Sequence, residues 1–433
     1  MISLPYYHII SIYHTTRGAK TVMNKYSQET LHRIEQNDLI ELGICNKSDV
    51  LIRRDGRFFT STDRDDYSRL GSYIGRNTNL KTLYVETDGI RLSATDSGFF
   101  EGLKQNSSIR EFKISGYSPI INHIPLGEVG CELLKAFQEN SSRLAALRIW
   151  ACDIGSVEER VVSKTLSSCR NIKELGMNHN NMTDEQLLLM VESLRGHRSL
   201  EELRLDHNRI GNTGCGVLAT LLEDTNTNLQ ILSIQNNNIG NEGMNTLANS
   251  LASNNKLKKL HLKINQFDKS CAENAFVRVL CDTSSINATY SSNHNLVTLV
   301  LTSEDDRETR DPLDDLLRTN EGTNKKNVAI DKILEYQPNF DVELLFEWGS
   351  EDERNLIALP YIIDWFDRAS VLISNRYRNG SSRHDLMRCY RNRDQRKLSV
   401  QKLSAIYEFS LAMPLLLDVH SRERRHRRKR NSY

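Results

Sequence analysis

Four consecutive stretches of this chain fit one template. They are Ile172-Lys-Glu-Leu175-Gly-Met177-Asn-His-Asn180-Asn-Met182, Leu200-Glu-Glu-Leu203-Arg-Leu205-Asp-His-Asn208-Arg-Ile210, Leu229-Gln-Ile-Leu232-Ser-Ile234-Gln-Asn-Asn237-Asn-Ile239 and Leu257-Lys-Lys-Leu260-His-Leu262-Lys-Ile-Asn265-Gln-Phe267. Each reads L-x-x-L-x-L-x-x-N-x-L, and their starts lie 28, 29 and 28 residues apart. A fixed period of this length admits few architectures. One unit cannot bury its own apolar face, so neighbouring units must stack into an array. The default work of such an array is recognition of a partner rather than chemistry.

The L-x-L centre predicts a short strand, with its leucines inward and the residues between them outward. The asparagine at the ninth position closes the strand. Its amide both donates and accepts, so it can satisfy backbone groups in the turn, including those of the next unit. Asn180, Asn208, Asn237 and Asn265 are expected to form a ladder. The second half of each unit reads as a helix. Ile210-Gly-Asn-Thr-Gly and Ile239-Gly-Asn-Glu-Gly share the frame I-G-N-x-G before an apolar helical face, and Thr183-Asp-Glu-Gln186 has the form of a capping box.

Fainter copies start at Leu144, Leu80, Ile109 and Leu39, and Leu296-Val-Thr-Leu299-Val-Leu301 is a last strand without its asparagine. The reading is an α/β solenoid of nine strands, followed by an α-helical C-terminal region. The expected divisions are an N-terminal lead-in at 1–38, the solenoid at 39–303, a charged linker at 304–326, a helical domain at 327–415 and a basic, disordered tail at 416–433. Helical stripes at Ile362, Trp365, Phe366, Ala369 and Ile373, and at Leu403, Tyr407 and Leu411, are read as core of that domain.

The net charge of +1 hides an asymmetry: from Arg376 to Tyr433 there are 16 Lys and Arg against 5 Asp and Glu. The tail cluster Arg422, Arg424, Arg425, Arg427, Arg428, Lys429 and Arg430 suits a nuclear-import signal, a phosphate-binding segment or a solvated end. The 8 cysteines form no C-x-x-C pair, which points to reduced structural thiols and away from zinc. Residues 1–20 lack a basic start and a long apolar run, so no signal peptide is expected, and no segment approaches a membrane span. An intracellular protein, cytoplasmic or nuclear, is the expectation.

The period and the I-G-N-x-G helix start resemble the ribonuclease-inhibitor-like class of leucine-rich repeats. The segments Leu280-Cys-Asp-Thr-Ser-Ser-Ile-Asn-Ala-Thr289, Leu345-Phe-Glu-Trp348 and Ala358-Leu-Pro360 also resemble an uncharacterised group of that class with a helical C-terminal region. The resemblance implies a horseshoe-shaped leucine-rich repeat solenoid, with a concave parallel sheet and convex helices, that binds other proteins. The same class includes activators of Ran-type GTPases, in which an arginine in a loop after a strand acts on the bound GTPase. Arg209 is the nearest counterpart, although those activators carry an acidic tail and this chain a basic one.

The outward template positions give the candidate partner-binding face: Tyr84, Arg148, Trp150, His179, Arg204, Asp206, His207, Gln235, His261 and Lys263. An outward Trp150 beside Arg148 has the composition of a binding hot spot. The column His179, His207, His261 is read as solvent-facing rather than metal-binding. No phosphate loop, nucleophile elbow or paired-carboxylate context is found. The expectation is a non-catalytic scaffold with a protein partner and no cofactor. The alternatives are a Ran-type GTPase activator and a nucleic-acid-associated adaptor working through the tail.

Overall fold

The computed structural model describes residues 25–45, 57–87, 90, 92–116, 124–138, 143–302 and 312–336. The chain divides into two compact units, Met1–Leu280 with Asn295–Leu317, and Cys281–His294 with Arg318–Tyr433. The helical stripes beyond residue 336 and the basic tail lie outside the described residues.

The first unit opens with helix α1 (Lys25–Glu35), strands β1 (Glu41–Ile44) and β2 (Phe58–Phe59) and helix α2 (Arg64–Arg76). Strand and helix then alternate: β3 (Thr82–Glu86), α3 (Ser97–Gln105), β4 (Glu111–Ser115), β5 (Ile124–Pro125), α4 (Gly127–Gln138), β6 (Ala146–Trp150), β7 (Cys152–Asp153) and α5 (Ser156–Ser168). The regular units follow as β8 (Glu174–Gly176), α6 (Asp184–Ser193), β9 (Glu202–Arg204), α7 (Asn212–Glu223), β10 (Ile231–Ser233), α8 (Asn241–Ser250), β11 (Lys259–His261) and α9 (Lys269–Leu280). The last strand of the first unit is β12 (Thr298–Val300), followed by α11 (Pro312–Thr319); the second unit holds α10 (Ile286–Ser291) and α12 (Lys325–Tyr336).

Ten strands form one sheet in the order β12-β11-β10-β9-β8-β6-β4-β3-β1-β2, and its neighbouring strands pair in parallel. Nine of them are the strands expected from the template. The tenth, β2, comes from the insertion after Ile44 and extends the sheet edge beyond β1. Its place depends on Gly43, because a Cβ there would meet Phe58 Cε1 at 2.3 Å. Helix α11 falls inside the stretch read as linker; Leu313, Leu316 and Leu317 are buried, an apolar stripe that the surrounding charges mask in the sequence.

The register sets equal template positions side by side, for example Leu147 against Leu175 and Leu203 against both Leu175 and Leu232. The two apolar positions of the regular strands are buried: Leu203, Leu205, Leu232, Leu260 and Leu262 are fully enclosed, whereas Leu299 and Leu301 of the last unit are only partly covered. Burial of each such side chain contributes roughly 1.5–3 kcal/mol before entropy is counted.

The asparagine ladder runs backwards along the chain, towards the preceding unit rather than the next one. Asn208 Oδ1 accepts from Asn180 N and Met182 N, both at 3.0 Å, while its Nδ2 donates to Met177 O at 2.8 Å. Asn180 binds Cys152 N and Ile149 O, Asn237 binds Ile210 N and Leu205 O, and Asn265 binds Ile239 N and Ile234 O in the same sense. The reason lies in the residue before each asparagine. Ala151, His179, His207, Asn236 and Ile264, all at the eighth position, have φ between 52° and 59°. That left-handed step turns the ninth residue inward, beneath its own strand.

The I-G-N-x-G frame builds a second ladder at the helix starts. Asp184 Oδ1 accepts from Gly211 N at 2.7 Å, and Asn212 Oδ1 accepts from Gly240 N at 2.9 Å and Gly243 N at 3.1 Å. A Cβ on Gly243 would meet Asn212 Oδ1 at 2.7 Å, so the second glycine of the frame is what admits the side chain from the unit before. Helix α6 carries the capping box of Thr183 and Gln186. A third set of amides ties each helix end to the helix of the unit before: Asn77, Asn106 and Asn254 donate to Ile34 O, Ile74 O and Leu222 O.

In the second unit, Lys332 is fully buried. Its Nζ donates to Asn293 O at 3.0 Å and to His294 Nδ1 at 3.2 Å, and His294 Nε2 donates to Tyr290 O at 3.0 Å.

Candidate functional site

The face of the sheet away from the helices is built from the third, fifth and seventh template positions, with the eighth forming its rim. The fifth-position row reads Gly43, Tyr84, Lys113, Arg148, Gly176, Arg204, Ser233, His261 and Val300 by register.

The arginines on this face are paired within it. Arg148 Nη1 and Nη2 bond Glu111 and Glu174, third-position residues of the strands on either side. Its stem lies over Gly176, where a Cβ would stand 3.3 Å from Arg148 Cγ. Arg204 bonds Glu202 of its own strand, and Lys113 Nζ lies 3.1 Å from Glu111. Arg148 is therefore an internal brace between three strands rather than the free hot-spot arginine the sequence suggested.

Asp206 is a second correction. It is buried at 7% exposure, and its Oδ1 accepts from Ser233 Oγ at 2.6 Å and Gln235 N at 2.9 Å. Asn178 Oδ1 in turn accepts from Asp206 N at 3.0 Å. Asn178 and Asp206 thus form a forward-running ladder at the seventh position, opposite in sense to that of the ninth. The sequence signal was there, as two side-chain acceptors at one template position in successive units, but it reads equally well as exposed polarity.

Trp150 is exposed, at 38%, at the end of β6. Its ring meets His179 edge to face at 5.7 Å, and His179 stacks on His207 at 3.9 Å with 12° between the planes. Asn236 Nδ2 donates to His207 Nδ1 at 2.5 Å, which leaves the proton of the neutral imidazole on Nε2. The row Trp150–His179–His207 ends at Asn236, and the next residue in that template position, Ile264, is 55% exposed. The row is rigid because each member is held by the next and by the left-handed rim.

Tyr84, Gln235, His261 and Lys263 are partly exposed, and Arg204 is exposed. Burial lowers the His207 and His261 pKa values below the usual range. Lys263 presses the same way on both, with Arg204 and Lys259 adding to the effect on His261; Asp206 opposes them. Both imidazoles are therefore mainly neutral at pH 7. The three histidines do not converge: His179 and His207 stack, whereas His261 lies in another row. Among the described residues no group of His, Cys, Asp and Glu could hold a metal ion.

Arg209 is exposed on the loop after β9, where its N–H donates to Met182 O at 2.9 Å. Burial pushes the thiols of Cys152 and Cys215 up to about 12 and those of Cys169 and Cys281 to about 11. Such groups stay protonated and act as small apolar side chains. Among the described residues no helix is long and apolar enough to cross a membrane.

A family model for the leucine-rich repeat matches residues 196–219 and 225–248. The chain is 28% identical over 170 residues to the ribonuclease inhibitor of Sus scrofa, a match that spans 32% of this chain and 37% of that protein. Among solved structures it is similar to leiomodin-1 actin-binding site 2 (18% identity, 39% of this chain and 90% of the other, TM-score 0.30). It is also similar to an internalin from Listeria monocytogenes (15% identity, 63% and 64%, TM-score 0.34). The period and the helix in every unit are those of a leucine-rich repeat solenoid, and the chain is similar to the ribonuclease-inhibitor-like class of such repeats.

Proposed function

We propose that this protein is a non-catalytic scaffold that docks a protein partner on the open face of its sheet, with Trp150 as the anchor. Leucine-rich repeat proteins in general mediate protein–protein interaction, and the pig relative is by name an inhibitor of another protein. The observation that carries the reading is the exposed Trp150 ring braced against His179 and His207. A rigid aromatic in solvent loses little side-chain entropy on binding and covers a large area. Around it Arg148 and Lys113 are already neutralised by Glu111 and Glu174, so covering them leaves no unpaired charge.

The test compares capture of partners from extract by the wild type, by Trp150→Ala and by Glu192→Ala on the helix side. Loss on removal of Trp150 of about 2 kcal/mol in affinity, with the helix-side variant unchanged, is expected. Equal capture by all three would move the docking surface off this face.

A further inference from the structure

We propose that the C-terminal end of the open face, over Ser233, docks an acidic extended segment of the protein partner. This deepens the docking reading above and rests on it.

The register places Ser233 between Arg204 and His261 in one row. With strands about 4.8 Å apart, these two side chains flank a gap roughly 10 Å wide. A small residue forms its floor. Ser233 is buried, its hydroxyl donates to Asp206, and Gln235 Nε2 donates to Ser233 Oγ at 3.1 Å. Lys259 and Lys263 stand two residues to either side of His261 on the same face, and Lys259 is exposed.

The acids nearby are already engaged: Asp206 by Ser233 and Gln235 N, Glu202 by Arg204. Hydrogen bonds from neutral groups leave the charge of Asp206 in place, so at this end Arg204, Lys259 and Lys263 face Glu202 and Asp206, an excess of one positive charge. The opposite end carries Glu41, Glu86, Glu111 and Glu174 against Arg57, Lys113 and Arg148, an excess of one negative charge.

Geometry selects an extended peptide over a compact anion. Lys259, His261 and Lys263 recur every second residue, about 6.8 Å apart along near-extended chain. One phosphate cannot span that row, whereas an extended partner offers side chains on one face at the same interval. The field also couples binding to protons. His261 faces Asp206, Arg204, Lys259 and Lys263, and β12 opposite carries only Thr298 and Val300; His207 faces Asp206, Lys263, His179 and Asn236. Carboxylates laid over this row cancel the cationic repulsion that helps hold the imidazoles neutral, so binding takes up protons and strengthens as pH falls.

The test uses the full chain and a fluorescent peptide of alternating Glu and Ser, with a Gln-Ser peptide as control, read by anisotropy at pH 6 and pH 8. The Glu peptide is expected to bind about tenfold more tightly than the Gln peptide, and more tightly at pH 6. Lys259→Glu with Lys263→Glu should lose about tenfold, while Lys256→Glu with Lys258→Glu, the same charge change off the face, should stay within about twofold. Equal losses in the two double variants, no loss in the first, or displacement of the peptide by equimolar inorganic phosphate would each overturn the proposal. If the Glu peptide fails to bind while Trp150→Ala still abolishes partner capture, this inference falls and the docking reading stands. If the peptide behaves as expected while Trp150→Ala captures normally, the acidic site stands and Trp150 is not the anchor.

Discussion

Ile264 holds a backbone conformation that a β-branched residue rarely adopts, at φ 59°, and its side chain is 55% exposed. Its counterpart one unit earlier is Asn236, at φ 52°, a residue type that tolerates this region. Exposure recovers little burial energy to offset the strain, which is of order 1–3 kcal/mol for such residues. Ile264→Asn should therefore raise stability by about 1 kcal/mol, measured as a shift in denaturation midpoint at constant slope. A variant less stable than the wild type would show that Ile264 contributes through packing instead. Asn208 lies at the other extreme. Its amide joins two units through Asn180 N, Met182 N and Met177 O, all within 3.0 Å. Asn208→Ala leaves those groups buried and unpaired, and a loss of roughly 1–3 kcal/mol is expected in the same assay.

Helix α7 holds two glycines, Gly214 and Gly216, whose surroundings differ. In a helix interior Gly→Ala is worth about 1 kcal/mol in favour of alanine. Gly216 follows that rule, because a Cβ there meets nothing within 4 Å. Gly214 does not: its Cβ would stand 2.4 Å from Asp184 Oδ1 and 2.7 Å from Ile210 Cγ2. It would displace the carboxylate that accepts from Gly211 N, cutting the ladder between helix starts. Thermal unfolding of the two alanine variants should thus move in opposite directions, up for Gly216→Ala and down for Gly214→Ala. Equal shifts would mean that the glycine of the I-G-N-x-G frame is there for conformational freedom alone. The frame is consequently a statement about inter-unit contact as much as about where a helix begins.

Across the whole molecule, what repeats was legible and what joins the repeats was not. The apolar template positions found nine strands because each carries its own Leu-x-Leu pattern. Strand β2 escaped because Phe58–Phe59 has no alternation and is placed by the space above Gly43, far away in the unpaired sequence. The outward positions of Trp150 and Arg148 followed from the period, but the Glu111–Arg148–Glu174 brace joins three units and needs the register to be seen. Least legible was Lys332, a charged residue in a polar helix that proves fully enclosed. Its burial has a consequence for the unit that holds it. Desolvation, with Lys325 pressing the same way, lowers the Lys332 pKa from 10.5 to about 7. Desolvation and then Lys332 lower that of His294 from 6.5 to about 4. In both cases the unfolded chain binds more protons than the folded one between the two values, so stability rises with pH there. The gain runs from pH 4 to 6.5 through His294 and from pH 7 to 10.5 through Lys332; below pH 7 the folded state carries the buried ammonium in full. Urea denaturation of the full chain, followed through Tyr290 or a neighbouring probe at pH 7, 8 and 9, should show a midpoint that climbs with pH. Lys332→Met removes the titrating amine, and whatever it does to absolute stability, the climb above pH 7 should flatten. An unchanged slope in that variant would assign the pH dependence to another group and mean that the buried amine keeps its proton across pH 7 to 9.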